Sequence, residues 1–134
     1  MDVQFKDNTP LFLSSMEKAK QHSLEDVGEK AAYYATNDTP VVTGRARNSI
    51  TWATKEQEGK AHHYTDDYGN QYTDRIGHGA EPDSVYIGSN VEYFPVLELG
   101  GVGRAGLHIL RNAATEHSAE YKTIFEKNMK NAEP

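Results

Sequence analysis

TPLFLSSMEKAKQHSLEDVGEKAAYYATND, residues 9 to 38, decides how this chain is read. Thr9-Pro10 opens it as a helix: a capping hydroxyl, then proline at the first helical position, where the missing N–H costs nothing. Leu13, Met16, Lys20, Leu24, Val27, Ala31 and Tyr34 recur at steps of three and four, one stripe of an amphipathic helix. Only Lys20 interrupts the stripe, and a lysine stem lies along apolar surface while its ammonium reaches water. The pattern stops near Thr36-Asn37-Asp38, ahead of Pro40. A second stripe, Leu107, Leu110, Ala114, His117, Tyr121, Ile124 and Asn128, predicts one long C-terminal helix to about Lys130. Residues 131 to 134, NAEP, read as a frayed end.

Between the helices the pattern shortens. In TPVVTGRARNSI, residues 39 to 50, Pro40 and Gly44 bracket an extended piece, and Thr43 is placed to cap one or two turns through Asn48. ITWATKEQ, from Ile50, and SVYIGS, residues 84 to 89, read as core strands. In EYFPVLELG, Pro95 starts a short helix from about Tyr93 that Gly100 ends. Helix, strands, helix is an α+β order, with two long helices packed on a small, mainly antiparallel sheet. A chain of 134 residues fits one domain. Residues 57 to 83 differ from the rest, being rich in Gly, Asp, His and Tyr with Ile76 as almost the lone aliphatic. Two arms, carrying Tyr64 and Tyr72, flank Tyr68-Gly69-Asn70 as a hairpin on a Gly-Asn turn. With no aliphatic face, this polar ribbon is expected to protrude and to reach onto a neighbouring subunit.

The net charge of −6 argues against a protein that grips nucleic acid through its phosphates. The absence of cysteine removes disulfides, thiolate metal sites and thiol nucleophiles, and fits a reducing compartment. MDVQFKDNTP lacks the basic and apolar regions of a secretory leader, and no apolar run approaches the ~20 residues of a membrane span. Gly101-Val-Gly103-Arg-Ala-Gly106 matches a dinucleotide fingerprint in spelling only. It has no parallel strand before it, and no second strand about 20 residues on to deliver an acid. It reads as a flexible glycine link between a short helix and a long one.

His62, His63, Asp66, Asp67, Asp74 and His78 would be the ligands of a small metal-dependent hydrolase, a distant alternative. Adjacent histidines on a strand point to opposite faces, which works against a shared ion. His108 and His117 read as packed or exposed rather than catalytic, and Ser49, Ser84 and Ser89 lack a nucleophile elbow. Arg45, Arg47 and Arg104 sit near glycine-marked bends, where they would bind an anion or bridge carboxylates. Glu98, inside VLELG, needs an arginine or a backbone N–H once it is covered. Arg45 and Arg47 are the first candidates, and Arg104 the next.

TPVVTGRARNSI, VEYFPVLELGG and GLHILRNAATEH, taken together and in this order, resemble the gene-ten-like family of tailed-phage morphogenesis proteins. These are components of the neck, or tail-completion, joint between head and tail. The first segment is similar to the family's P-V-x-T-G-x-L-R-x-S-I, the second to Y-A-x-x-x-E-x-G, and the third to the P-F-L-R-P-A helix start. Ala46 stands where the family has leucine, His108 and Ile109 replace the Pro-Phe pair, and residues 57 to 83 match no motif. The resemblance implies a non-enzymatic α+β protomer without cofactor or metal, assembled in the host bacterial cytoplasm into a ring, often a hexamer, of the virion neck. Its partners would be a head-completion or connector protein and a tail-terminator or tail-tube protein. Double-stranded DNA would pass through without being bound specifically, and no membrane would be involved. A tail-terminator ring capping the tail tube is the alternative. Thr43, Gly44, Arg45, Arg47, Tyr64, Tyr72, Tyr93, Glu98, Gly100, Gly101 and Arg104 are the interface or structural candidates.

Overall fold

A computed structural model describes residues 9–77 and 81–132. The first helix, α1, runs Thr9–Asp38, as its periodicity predicts. The capping role expected of the Thr9 hydroxyl lies outside the described side chains. At the other end the buried Thr39 hydroxyl donates to the Ala35 carbonyl at 2.7 Å, filling one of the acceptors that a helix end leaves open. The face that α1 buries is made of small residues, Ser23, Ala31, Ala32 and Ala35. This departs from the expected stripe: Leu13, with Leu11 and Phe12, stays exposed, while Leu24, Val27 and Tyr34 are half-buried. Small side chains bring the helix axis close to its neighbours. A Cβ on Gly28 would stand 2.7 Å from Cγ2 of Val85 and 3.0 Å from the Trp52 side chain.

The chain continues through α2 (Arg45–Ser49), β1 (Thr51–Ala53), a 3₁₀ turn at Lys55–Gln57, β2 (Ala61–Thr65), β3 (Gln71–Arg75) and β4 (Tyr86–Gly88). It closes with α3 (Phe94–Leu99), β5 (Gly100–Gly101), β6 (Arg104–Ala105), α4 (Ile109–Thr115) and α5 (Ser118–Lys130). The α+β architecture is the expected one. Among the described residues the strands form three separate antiparallel ladders, β1 with β4, β2 with β3 and β5 with β6, rather than one sheet. Trp52 and Ile87 face each other across the first ladder. The buried cluster gathers Ala32, Ala35, Ala46, Ile50, Val91, Phe94, Ile109 and Ala113, with Trp52, Ile87, Leu97 and Leu110 packed against it.

The expected single C-terminal helix is broken at Glu116-His117. Thr115 turns its hydroxyl back onto the Arg111 carbonyl at 2.9 Å, a bond that bends helices. The Tyr121 hydroxyl donates to the Ala113 carbonyl, which an unbroken helix would have paired with the His117 amide. The buried positions of α4 are accordingly Ile109 and Ala113, while Leu107 and Ala114 are exposed. After the break α5 lies along α1. The His117 ring stacks on Tyr34 with centroids 3.5 Å apart, and Asn128 Nδ2 donates to Asp26 at 2.9 Å. The Tyr34 hydroxyl donates to the Glu120 carboxylate, whose hydrogen bond, helped by burial, pushes the phenol up to about 12. No helix among the described residues is long and apolar enough to cross a membrane.

Candidate functional site

Two joints and a cleft hold the residues that the sequence singles out. The first joint is the turn before α2. Gly44 takes a left-handed φ of 81° there, and Thr43 accepts the Arg45 amide on its hydroxyl at 3.3 Å. The Thr43 carbonyl accepts the Asp67 amide at 2.7 Å, so the tip of the β2–β3 hairpin is stitched to this turn. Arg47 bonds the Asp67 carboxylate at 2.9 Å, and Asn48 Nδ2 donates to the Thr65 carbonyl at 2.7 Å. Arg45 presents both terminal nitrogens to Glu92, each at 3.2 Å, and its guanidinium lies 4.5 Å from the centre of the Tyr72 ring. The hydrogen bond of Glu92's own amide and the Arg45 fork hold that carboxyl below the usual range.

The hairpin therefore does not stand away from the body. Strand alternation places His62, Tyr64, Tyr72 and Asp74 on one face, which is buried or half-buried, while Ala61, His63, Thr65, Gln71, Thr73 and Arg75 are exposed. Tyr64 is buried, stacks on Tyr72 with centroids 5.2 Å apart and donates its hydroxyl to Asp74 at 3.0 Å. Tyrosine rings supply the apolar face in place of aliphatics. The turn is also longer than a Gly-Asn pair. Thr65 and Gln71 form the last cross-strand pair, and Asp66 to Asn70 make the loop. Asp66 organises it: Oδ1 accepts the Tyr68 and Asn70 amides at 2.9 Å, while Oδ2 accepts Asn70 Nδ2 and the Tyr72 hydroxyl. Burial opposes the charge, but those hydrogen bonds outweigh it and keep the Asp66 carboxyl below its ordinary value.

The second joint surrounds Glu98, and among the described residues no arginine side chain meets it. Arg45 pairs with Glu92 and Arg47 with Asp67, while Arg104 is exposed on β6. The Glu98 carboxylate instead caps α4, with Oε2 accepting the Leu110 amide at 2.8 Å and Oε1 the Arg111 amide at 3.0 Å. A carboxylate there satisfies two otherwise open donors and complements the positive end of the helix. Backbone bonds from Leu107 to Leu97 and from His108 to Glu98 press the two helices together. The glycines between them form a tight joint rather than a flexible link. Gly100 sits at φ 87° and ψ 174°, and Gly101 pairs with Arg104 around a Val102-Gly103 turn. Tyr93 precedes α3 on the surface.

Glu98→Ala is expected to lower stability by about 2 kcal/mol through loss of this cap. Pairing it with Arg45→Gln should give additive losses in urea melts, because the two residues share no contact. Strong coupling would contradict the cap assignment.

A cleft of about 290 Å³ opens between the β1–β4 ladder and the hairpin, lined chiefly by Trp52, Ile76, Tyr86 and Ile87 with His62 and Asp74. Burial lowers the His62 pKa, and the neighbouring Asp74 only partly counters it. His63 points the other way, its Nδ1 2.9 Å from the Thr73 hydroxyl. His78 lies outside the described residues. Among the described residues no group of three or more His, Asp or Glu is placed to hold a metal ion. Ser49 donates to the Ala46 carbonyl at 2.7 Å and shares a hydrogen bond with Ser89, which accepts the Val91 amide at 3.1 Å, so both serines hold the loop before α3. Sequence reasoning missed Asp66 as the loop organiser and the pairing of Glu92 and Asp67 with the arginines. The spacing in Asp66-Asp67-Tyr68-Gly69-Asn70 is the signal that could have found Asp66, since an aspartate commonly bonds the amide two residues on. Comparison with known proteins finds no matching family model, no matching curated protein and no matching solved structure.

Proposed function

We propose that this chain is a structural subunit of a tailed-phage virion, forming a neck or tail-completion ring that joins head and tail around the DNA channel. The observation that carries the reading is the apolar end built by the second joint. Val102 is fully exposed at the tip of the β5–β6 turn, with Leu99, Val96 and Leu107 exposed beside it. Aliphatics grouped on a rigid turn mark a surface that another chain covers. The segments that resemble the phage family supply the two joints: Thr43 and Gly44 seat the hairpin, and Glu98 with Gly100 fixes the exposed turn. Such residues serve shape rather than chemistry. The hydrolase alternative loses ground because His62 and His63 face apart. The net charge of −6 suits a conduit past which DNA slides, since phosphates are repelled rather than held.

The test is the native mass of the purified protein, alone and mixed with head-completion and tail-tube proteins of a tailed phage. A closed homo-oligomer that joins both is the expected result. A monomer that binds neither would refute the reading, and a complex with the tail tube alone would favour a tail terminator.

A further inference from the structure

We propose that the β5–β6 turn of one copy seats in the cleft of the next copy, with Val102 entering against Trp52 and Ile87 and Arg104 reaching Asp74. The inference rests on the ring reading, because repeating one head-to-tail contact closes a ring when the rotation allows. The two surfaces complement each other in shape and charge. The turn is a narrow projection whose tip is apolar and whose one charge is Arg104. Among the described residues Arg104 makes no ion pair of its own. The cleft is concave and mainly apolar, and among the described residues Asp74 is the one carboxylate of its lining, which has no lysine or arginine. Burial favours the neutral form of His62, which lessens its opposition to an incoming guanidinium.

Asp74 is half-buried and receives the Tyr64 hydroxyl on Oδ2, which leaves it acceptor capacity for an arginine. Trp52 and Tyr86 add aromatic surface of the kind that arginine packs on. No residue of the turn lines the cleft of its own chain, so knob and hole are separate patches. That separation is what a head-to-tail contact requires, in contrast to a twofold one. Both patches are preorganised. The Glu98 cap and the Gly100 joint fix the turn, and the Thr43–Asp67 stitch fixes the hairpin wall of the cleft. Little ordering is left for association to impose.

The chain has no cysteine, so engineered pairs report cleanly. Val102→Cys with Tyr86→Cys, both at exposed positions, should oxidise into a covalent ladder longer than a dimer. A control pair, Val102→Cys with His63→Cys on the outer face of the hairpin, should not. Arg104→Glu should raise the concentration at which the oligomer dissociates by about tenfold or more, and adding Asp74→Arg should restore assembly. Thermal melts check that each variant folds; should Asp74→Arg fail to fold, the cysteine pair and Arg104→Glu decide the matter alone. An oligomeric wild type whose mass ignores Arg104→Glu, and whose cysteine pair does no better than the control, would overturn this contact while leaving the ring reading intact. The same overturning would follow if the cleft binds a small ligand and that ligand leaves the oligomer unchanged. A wild type that stays monomeric and does not cross-link would remove both.

Discussion

Phe94→Ala is expected to lower the free energy of unfolding by about 3–5 kcal/mol, a large part of the ~5–15 kcal/mol that holds a domain of this kind together. Phe94 is only 2% exposed and belongs to the same buried cluster as Ala32 and Ala35 of α1, Ala46 of α2 and Ile109 and Ala113 of α4. Ala32, Ala35, Ala46 and Ala113 of that cluster have short side chains that cannot swing in to fill the space a lost ring leaves. The transfer loss and the cavity loss should therefore add with little relief. Tyr93→Ala, one residue away and 40% exposed, should change stability by no more than about 0.5 kcal/mol. Urea denaturation of the two variants decides the matter. Equal losses would mean that α3 is rotated relative to the core described above.

Gly100→Ala should be the second severe change, and its damage should appear in assembly as well as in stability. The backbone of Gly100, at φ 87° and ψ 174°, occupies a region essentially reserved for glycine, where any other residue costs about 1–3 kcal/mol. A Cβ there would also stand 2.6 Å from the Arg104 carbonyl oxygen and from the Gly106 amide nitrogen. Both are backbone atoms, so no rotamer change relieves the clash and the turn must open. Opening it pulls α3 from α4 and withdraws Glu98 from the Leu110 and Arg111 amides. Gly103→Ala is the control. Its φ of 72° is also left-handed, but a Cβ there meets nothing within 4 Å, so about 1–2 kcal/mol is expected. If Gly103→Ala melts at the lower temperature, the joint is not where the strain lies.

The parts of this fold that periodicity and punctuation carry were legible beforehand. The limits of α1, the Pro95 start and Gly100 end of α3, the strands at Trp52 and Ile87 and the two arms of the hairpin all follow local rules. What escaped depends on partners. The break at Glu116-His117 keeps the three-four spacing on both sides, and only the Tyr121–Ala113 and Thr115–Arg111 bonds reveal it. Glu98 called for a partner, and arginine or backbone N–H would each have served. The choice fell on the backbone because α4 begins only at Ile109 and aims its first amides at the carboxylate. The hairpin read as faceless because tyrosine was counted as polar, whereas Tyr64 and Tyr72 bury their rings and spend their hydroxyls on Asp74 and Asp66.

The pairing of α1 with α5 bears on when the protein becomes itself during synthesis. The hydrogen bond from Asn128 to Asp26 spans 102 positions, and Lys30 faces Glu120 across the same seam. A helix that buries serines and alanines holds little on its own, since isolated helices are marginal without an apolar partner. α1 leaves the ribosome well before α5 and must wait until that distant partner emerges. Closure of such distant contacts is slow compared with local folding. During that wait α1 lacks its partner, and Leu11, Phe12 and Leu13 stay uncovered even in the finished protomer. That segment is where a chaperone should be found waiting.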